Sequence, residues 1–573
     1  MSWLPFGDLP AHTPRRFVPS DLKLADPARV VPLFDQLEQR LGGVQSVAEL
    51  EDWILDTGEL RAAIDEERAR RYIAMTCHTD DPEAEKAYLE LVEHLDPALK
   101  PRQFRLSRMF LEHPLRAQLP AARYAVFDRH TALKVALFRE ENVPLETEEE
   151  RLQQQYQKLI GAQTVVHRGE EKTLVQMGRF LEEPDRAVRE EAWRLVAERR
   201  RADAEVCENL FDELLSLRQR QAAHAGFANY RDYAFKLRSR FDYGPDECLT
   251  FHEAIEQVMV PLLRRLQARR KQRLGIESLR PWDMAVDPLN RPPLRPFREP
   301  AELEGRSQRI FDRLSPELSA DFRTLRDRRL LDLANRKGKA PGGYQYTLSE
   351  ARLPFIFMNA VGQQRDVETL LHEAGHAFHA LAAREEPLDA YRDAPIEFCE
   401  VASMAMELLA AEHLEEFYSG PEADRARTVH LEGIVEVFPW IATIDAFQHW
   451  IYTHPGHSRV ERREAWLELR RRFGGDIDWS GLEAYHGSLW HKQAHVFLHP
   501  FYYVEYGIAQ IGALQVWANS RRDRPGALRA YRAGLALGGS RPLLELFTAA
   551  GCRFDFSAQA LRPLAGLVES ELF

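Results

Sequence analysis

Helical periodicity runs through most of this chain and strand material is scarce, which confines it to a mostly α fold. Charged, Leu- and Ala-rich stretches with apolar residues three and four apart recur over Leu33–Leu41, Glu83–Leu95 and Arg186–Leu217. The third continues through Ala222 and is expected to stop near Gly226, a residue suited to a C-cap. Thr164–His167 and Lys172–Val175, on either side of Arg168-Gly169, read as a hairpin. Leu353–Asn359 reads as a strand whose Pro354 favours an edge position. The Glu-rich run from Arg139 to Arg151 is expected to be a solvated connection or a helix start. Six prolines between Pro281 and Pro300 forbid regular helix there and predict a crossing between two lobes.

The 573 residues suffice for a large core or several. Lys+Arg 77 against Asp+Glu 89 gives a net charge of −12, with both signs interleaved, which argues against nucleic acid or an anionic membrane as the main partner. Nothing approaches 18 uninterrupted apolar residues, the length of a membrane-spanning helix. The start, Met1-Ser2-Trp3-Leu4-Pro5, lacks the basic and apolar regions of a signal peptide. The five cysteines are scattered without a C-x-x-C pair and read as reduced thiols rather than a disulfide frame. A cytoplasmic protein is expected.

The chemistry concentrates at His372-Glu373-Ala374-Gly375-His376. With this composition a shuffled chain would contain H-[DE]-x-x-H roughly 0.1 times. Val367, Leu370, Leu371, Ala374, Ala377, Phe378 and Leu381 fall at helical spacing around it, so the motif lies inside an amphipathic helix. One turn apart, His372 and His376 project to the same side and can share one Zn²⁺. Glu373 then stands beside the metal as a base toward water rather than as a ligand. A catalytic zinc needs a third protein ligand. The metzincin solution fails, because Ala382 stands where its histidine should be and His379 where its glycine should be. A downstream glutamate is the other common solution. Glu400 and Glu407 lie two turns apart on one face of a helix of small apolar residues, so one can bind metal while the other supports a histidine. Glu397 sits one turn before Glu400.

Farther on, His486, His491, His495 and His499 precede Pro500-Phe501-Tyr502-Tyr503. Pro500 reads as a helix start, from which Tyr502 and Tyr506 would share a face. Phenols and imidazoles are the donors wanted beside a carbonyl that gains negative charge, although an aromatic core stripe would look the same.

His372-Glu373-x-x-His376, followed by Phe398-x-Glu400-Val401-x-Ser403 and Glu407, resembles the M3 family of zinc oligopeptidases, in particular its oligoendopeptidase F and Pz-peptidase-like branch. Further matches are Arg218-x-x-x-Ala222 with Gly226-Phe227-x-Asn229-Tyr230, Trp282-Asp283, Arg336 to Tyr344, Asp445-x-Phe447-Gln448-His449-Trp450, Pro500 to Tyr503 and Ala549-Ala550-Gly551. The resemblance is firm from about residue 200 onward. It implies a mostly α, two-lobed helical ellipsoid with a deep central channel and a small sheet beside the motif helix. An N-terminal helical region over 1–185 would precede a peptidase domain over 186–573. It also implies one Zn²⁺ per chain on His372, His376 and Glu400, with Glu373 as general base. His495, Tyr502 and Tyr506 are implied to stabilise the tetrahedral intermediate, with His499 and Tyr503 as alternatives. The glycine-rich Lys337–Tyr344 stretch would be a loop near the cleft. The substrates implied are short peptides cleaved at internal bonds; Leu353–Asn359, read as an edge strand, would bind their backbones by strand addition. Two rivals remain: a zinc aminopeptidase, although no G-x-M-E-N signature is present, and a non-catalytic helical scaffold with a vestigial metal site.

Overall fold

The computed structural model describes residues 4–336, 338–340 and 342–573. Met1 to Trp3, and Lys337 and Pro341 of the glycine-rich stretch, lie outside the described residues. By its contacts the chain divides into two compact units, each assembled from three stretches. One comprises residues 4–136, 294–427 and 509–554; the other comprises 137–293, 428–508 and 555–573. The division at Pro293 falls within the proline-rich segment, whose regular structure is limited to a short 3₁₀ turn at Pro281–Asp283 before a helix resumes at Pro300.

In the first unit the helices Pro27–Gly43, Val47–Cys77 and Asp96–Glu112 pack around Leu37, Trp53, Phe110 and their neighbours. Trp53 stacks on Phe110 at 6.3 Å, and its indole N–H donates to the Leu37 carbonyl at 2.9 Å, so this large ring is buried without stranding its polar atom. The Val47–Cys77 helix begins with a reciprocal cap in which Ser46 and Glu49 satisfy each other's backbone donors.

The same unit holds a three-stranded sheet of β3 (Leu331–Ala334), β4 (Tyr344–Leu348) and β5 (Leu353–Ala360), in the order β3-β5-β4. The edge position expected for Leu353–Asn359 is therefore wrong: β5 is the central strand. Pro354 is tolerated because β3 reaches β5 only from Ile356 onward, while Pro354 pairs on the β4 side alone, opposite Thr347. Lys339, in the β3–β4 loop, is buried and donates to the carbonyls of Asp332, Ala334 and Met358, tying that loop to the sheet.

In the second unit the expected hairpin forms from β1 (Thr164–His167) and β2 (Glu170–Thr173), paired antiparallel, but its second strand starts two residues before the expected Lys172–Val175, and Leu174 and Val175 instead open a short helix, Leu174–Met177, behind a Thr173–Gln176 cap. Arg168 and Gly169 both carry positive φ, 53° and 81°, as its two-residue turn demands. The single helix expected from Arg186 is two, Arg186–Ala202 and Ala204–His224. The break is at Asp203, whose carboxylate is held by Gln163 and by Arg199. The second helix ends as expected before Gly226, at φ +85°. The Glu-rich run is a helix start, with Pro144 in the first turn of Val143–Gly161. Among the described residues, no helix is long and apolar enough to cross a membrane.

Candidate metal centre

The motif helix spans Gln364–Ala382. Its first turn is closed by Asp366, which accepts from the backbone N–H groups of Val361 and Gln363 at 2.7 and 2.9 Å. One face packs on β5, burying Val367, Leu370, Leu371, Ala374, Ala377 and Phe378. The facing helix, Ile396–Ala411, follows Pro395 and is buried along most of its length. The two come very close at Gly375, where a Cβ would stand 2.5 Å from Ser403 Cα and 2.6 Å from the Ala402 carbonyl. Only glycine permits this approach, and the approach brings Glu400 to the histidines. Gly375→Ala is accordingly expected to force the helices apart, lowering stability by about 1–3 kcal/mol and weakening metal binding with it. Thermal unfolding and metal titration of that variant check this; unchanged values in both would contradict it.

His372 Nε2 lies 3.4 Å and His376 Nε2 3.7 Å from Glu400 Oε2, and the three side chains offer donor atoms all within 4.8 Å of one another. The two imidazoles are nearly perpendicular, their centroids 4.9 Å apart. Zn–N and Zn–O bonds of about 2.0–2.1 Å at tetrahedral angles put neighbouring ligand atoms about 3.3 Å apart, so the set fits such an ion. A second layer is also in place. Glu407 Oε1 meets His372 Nδ1 at 2.6 Å, and Ser403 Oγ donates to Glu400 Oε2 at 3.1 Å. The hydrogen bond at Nδ1 leaves Nε2 of His372 as the free donor toward a metal. Glu397, although buried, is not among the three converging donors.

The electrostatics follow from burial and close charges. Burial opposes a charge on His372, but the hydrogen bonds to Glu400 and Glu407 outweigh it and hold its pKa well above the ordinary value. Burial likewise disfavours the Glu400 carboxylate, yet His372 and His376 keep its pKa below the usual range. His376 is pushed down to about 4 by burial. Glu373 is 7% exposed, and burial pushes it up to about 7; it accepts a hydrogen bond from the Gln345 backbone N–H of β4. His379 is a core residue, pushed down to about 3 by burial, its ring edge-on to Phe398.

The second unit gathers the aromatic cluster. His495 has Tyr502, Tyr503 and Tyr506 at centroid distances of 5.6, 4.9 and 5.8 Å, and Tyr502 and Tyr506 are 5.3 Å apart. His499 is exposed, 6.1 Å from Tyr502. Pro500 does not start the helix as expected; it begins at Tyr503, because Phe501 adopts φ +62° and donates its N–H to Gln448 Oε1 at 2.6 Å. Arginines distant in sequence pin this segment. Arg218 donates to the Val496 and Phe497 carbonyls, Arg238 to that of Pro500 at 2.8 Å, and Arg240 to that of Phe501 and to Glu505. Gln493 meets His495 Nδ1 at 2.8 Å and accepts from Trp440 Nε1 at 3.0 Å, fixing the ring. Arg218 and Gln448 are visible in the sequence only as motif matches. Arg238 and Arg240 carried no spacing signal, since their partners are more than 260 residues away.

The chain is 29% identical to the chromosomal oligoendopeptidase F of Lactococcus lactis subsp. cremoris over 162 residues, 28% of this chain and 26% of that protein. To oligopeptidase PepF of Bacillus subtilis (strain 168) it is 25% identical over 307 residues, 51% of this chain and 43% of that one. The matched stretches thus span less than half the length of these curated relatives. The solved structure of Pz peptidase A with an inhibitor superimposes with a TM-score of 0.90 at 27% identity, covering 97% of this chain and 99% of that one. Residues 21–138 match the Peptidase M3 N-terminal domain and residues 179–565, the larger part of the chain and the whole of the metal centre, match Peptidase family M3; the chain belongs to that family.

Proposed function

We propose that this chain is a zinc-dependent oligoendopeptidase that hydrolyses internal bonds of short, unstructured peptides, with one Zn²⁺ held by His372, His376 and Glu400. The observation that carries the reading is the convergence of those three donors, at 3.4 and 3.7 Å, with a buried carboxylate, Glu373, alongside but outside the set. When bound, zinc supplies Lewis acidity toward the scissile carbonyl and lowers the pKa of water toward about 7 from about 15.7. The rest falls to the protein. Glu373 takes a proton from the attacking water and delivers it to the leaving amide nitrogen, a shuttle for which a buried carboxyl of raised proton affinity is suited. Glu407 and Ser403 hold the ligands in register. The catalytic region is proposed to run over 186–573, behind an N-terminal helical region.

Peptide backbone is proposed to add along β4, since β5 is interior and, among the described residues, β4 has no strand on its outer side. A short peptide amide with both ends blocked is the decisive substrate. Cleavage at an internal bond, lost on chelation and restored by Zn²⁺, is expected. Cleavage only of peptides with a free N-terminus would replace this reading with an aminopeptidase, and metal binding without turnover would replace it with a scaffold.

His495, Tyr502 and Tyr506 are proposed to donate to the carbonyl oxygen as it gains negative charge. Loss of one such donor costs on the order of 10²–10³ in turnover, about 2.7–4 kcal/mol. Tyr506→Phe and His495→Ala are each expected to keep their metal and lose single-turnover rate on that scale, with Tyr502→Phe affected similarly or somewhat less. If the cluster only packs, Tyr→Phe leaves the chemical rate at the parent value.

A further inference from the structure

A second set of metal-type donors lies in the unit that holds the aromatic cluster, and the peptidase reaction makes no use of it. Cys248 and His252 are one turn apart on the helix Pro245–Ala254, and Asp445 and His449 are one turn apart on the long helix Gly420–Thr453. Each pair therefore projects from one face of its helix, as two ligands from one helix do. All four residues are buried, Asp445 completely and His449 to 5% exposure. Cys248 Sγ, an Asp445 oxygen and a His449 nitrogen lie within 4.8 Å of one another, and His252 Nε2 adjoins them, 2.8 Å from Asp445 Oδ2.

Hydrogen bonding accounts for only part of this cluster, the His252–Asp445 Oδ2 pair. Asp445 Oδ1 and both ring nitrogens of His449 are buried without a hydrogen-bond partner. His449 Nε2 does lie 3.3 Å from Asp445 Oδ2, yet out of line for a hydrogen bond. That separation is about the one two ligands of a common zinc ion adopt, and the corresponding distances in the motif site, 3.4 and 3.7 Å, are similar. A buried polar atom left unpaired costs about 1–3 kcal/mol, and three in one place need a common cause.

We propose that Cys248, Asp445 and His449 form a second, structural site for a zinc-class divalent ion, with His252 holding the Asp445 carboxylate by a hydrogen bond. A thiolate, a carboxylate and a neutral imidazole carry together the two negative charges that such an ion neutralises, so the occupied cluster is uncharged in the core. The donors are buried in the helical core, away from any substrate, which separates its role from that of the catalytic centre. By crosslinking two helices distant in sequence, the ion would act on folding free energy rather than on chemistry. The thiolate and imidazole donors favour zinc over magnesium or calcium.

Cobalt substitution of the full chain reads this site separately from the motif site, which contains no thiolate. Stripped protein reloaded with Co²⁺ is expected to bind about two equivalents, one of them giving a near-ultraviolet thiolate-to-cobalt charge-transfer band. Glu400→Ala should keep that band. Cys248→Ser should lose it, retain about one equivalent and melt at a lower temperature, and His449→Ala should also fall to about one equivalent. Absence of the band from fully loaded parent protein overturns the proposal, even if the motif site binds metal and turns over substrate as proposed. Because the parent spectrum alone decides, a variant that fails to fold leaves the test intact.

Discussion

Glutamine at position 373 is expected to leave metal content near stoichiometric and the fold unchanged, while single-turnover cleavage of a blocked peptide falls by about 10⁴-fold or more. General acid–base transfer contributes about 10²–10⁴ for each role, and the carboxylate is asked to serve twice, first as base and then as acid. The geometry makes the substitution a clean one. Glu373 is not among the three donors that converge on the metal position, so affinity does not depend on its charge. The amide oxygen of glutamine can still accept from the Gln345 N–H, so the buried side chain keeps its packing and its partner. Only the exchangeable proton site is removed. Retained activity within about tenfold of the parent would refute the role assigned here, because no uncharged amide can carry that proton.

What was legible in the chain is what local spacing encodes. His372 and His376 at i and i+4 in an apolar helix fix two donors on one face, and Glu400 with Glu407 at i and i+7 place two carboxylates on the facing helix. The structure puts one at each end of His372, Glu400 near Nε2 and Glu407 on Nδ1. Gly375 was present in the motif, but its significance was not legible, because the demand for glycine comes from Ala402 and Ser403 of another helix. The same limit explains β5. A proline in a strand predicts an edge, and whether the neighbouring strand reaches that residue is decided by the register of β3, which no local pattern carries. Tyr503 as the true helix start depends on Gln448, and the arginines that fasten the aromatic segment act across hundreds of residues. Pairings of this kind belong to the tertiary fold.

Among three glutamates of one helix, removal of Glu400 is expected to cost most in metal affinity. Glu400→Ala deletes one of three donors and leaves His372 without one of its two carboxylate partners. Glu407→Ala removes a hydrogen bond that orients His372 but no ligand, and losses at such outer positions run to about 10–100-fold. The Glu400 variant should exceed that range. Glu397→Ala should change affinity little, although Glu397 is equally buried and only one turn away. Glu397 and Glu400 are equally buried while Glu407 is only half-buried, and alanine is the best helix former, so a general effect on stability would put 397 level with 400 and 407 last rather than in this order. The expected order, 400 well beyond 407 and 407 beyond 397, follows from where each oxygen points. Competition against a chelator of known zinc affinity measures it directly. Were Glu397→Ala the weakest binder, the helix would present a different face to the histidines, and the ligand set would have to be redrawn around that residue.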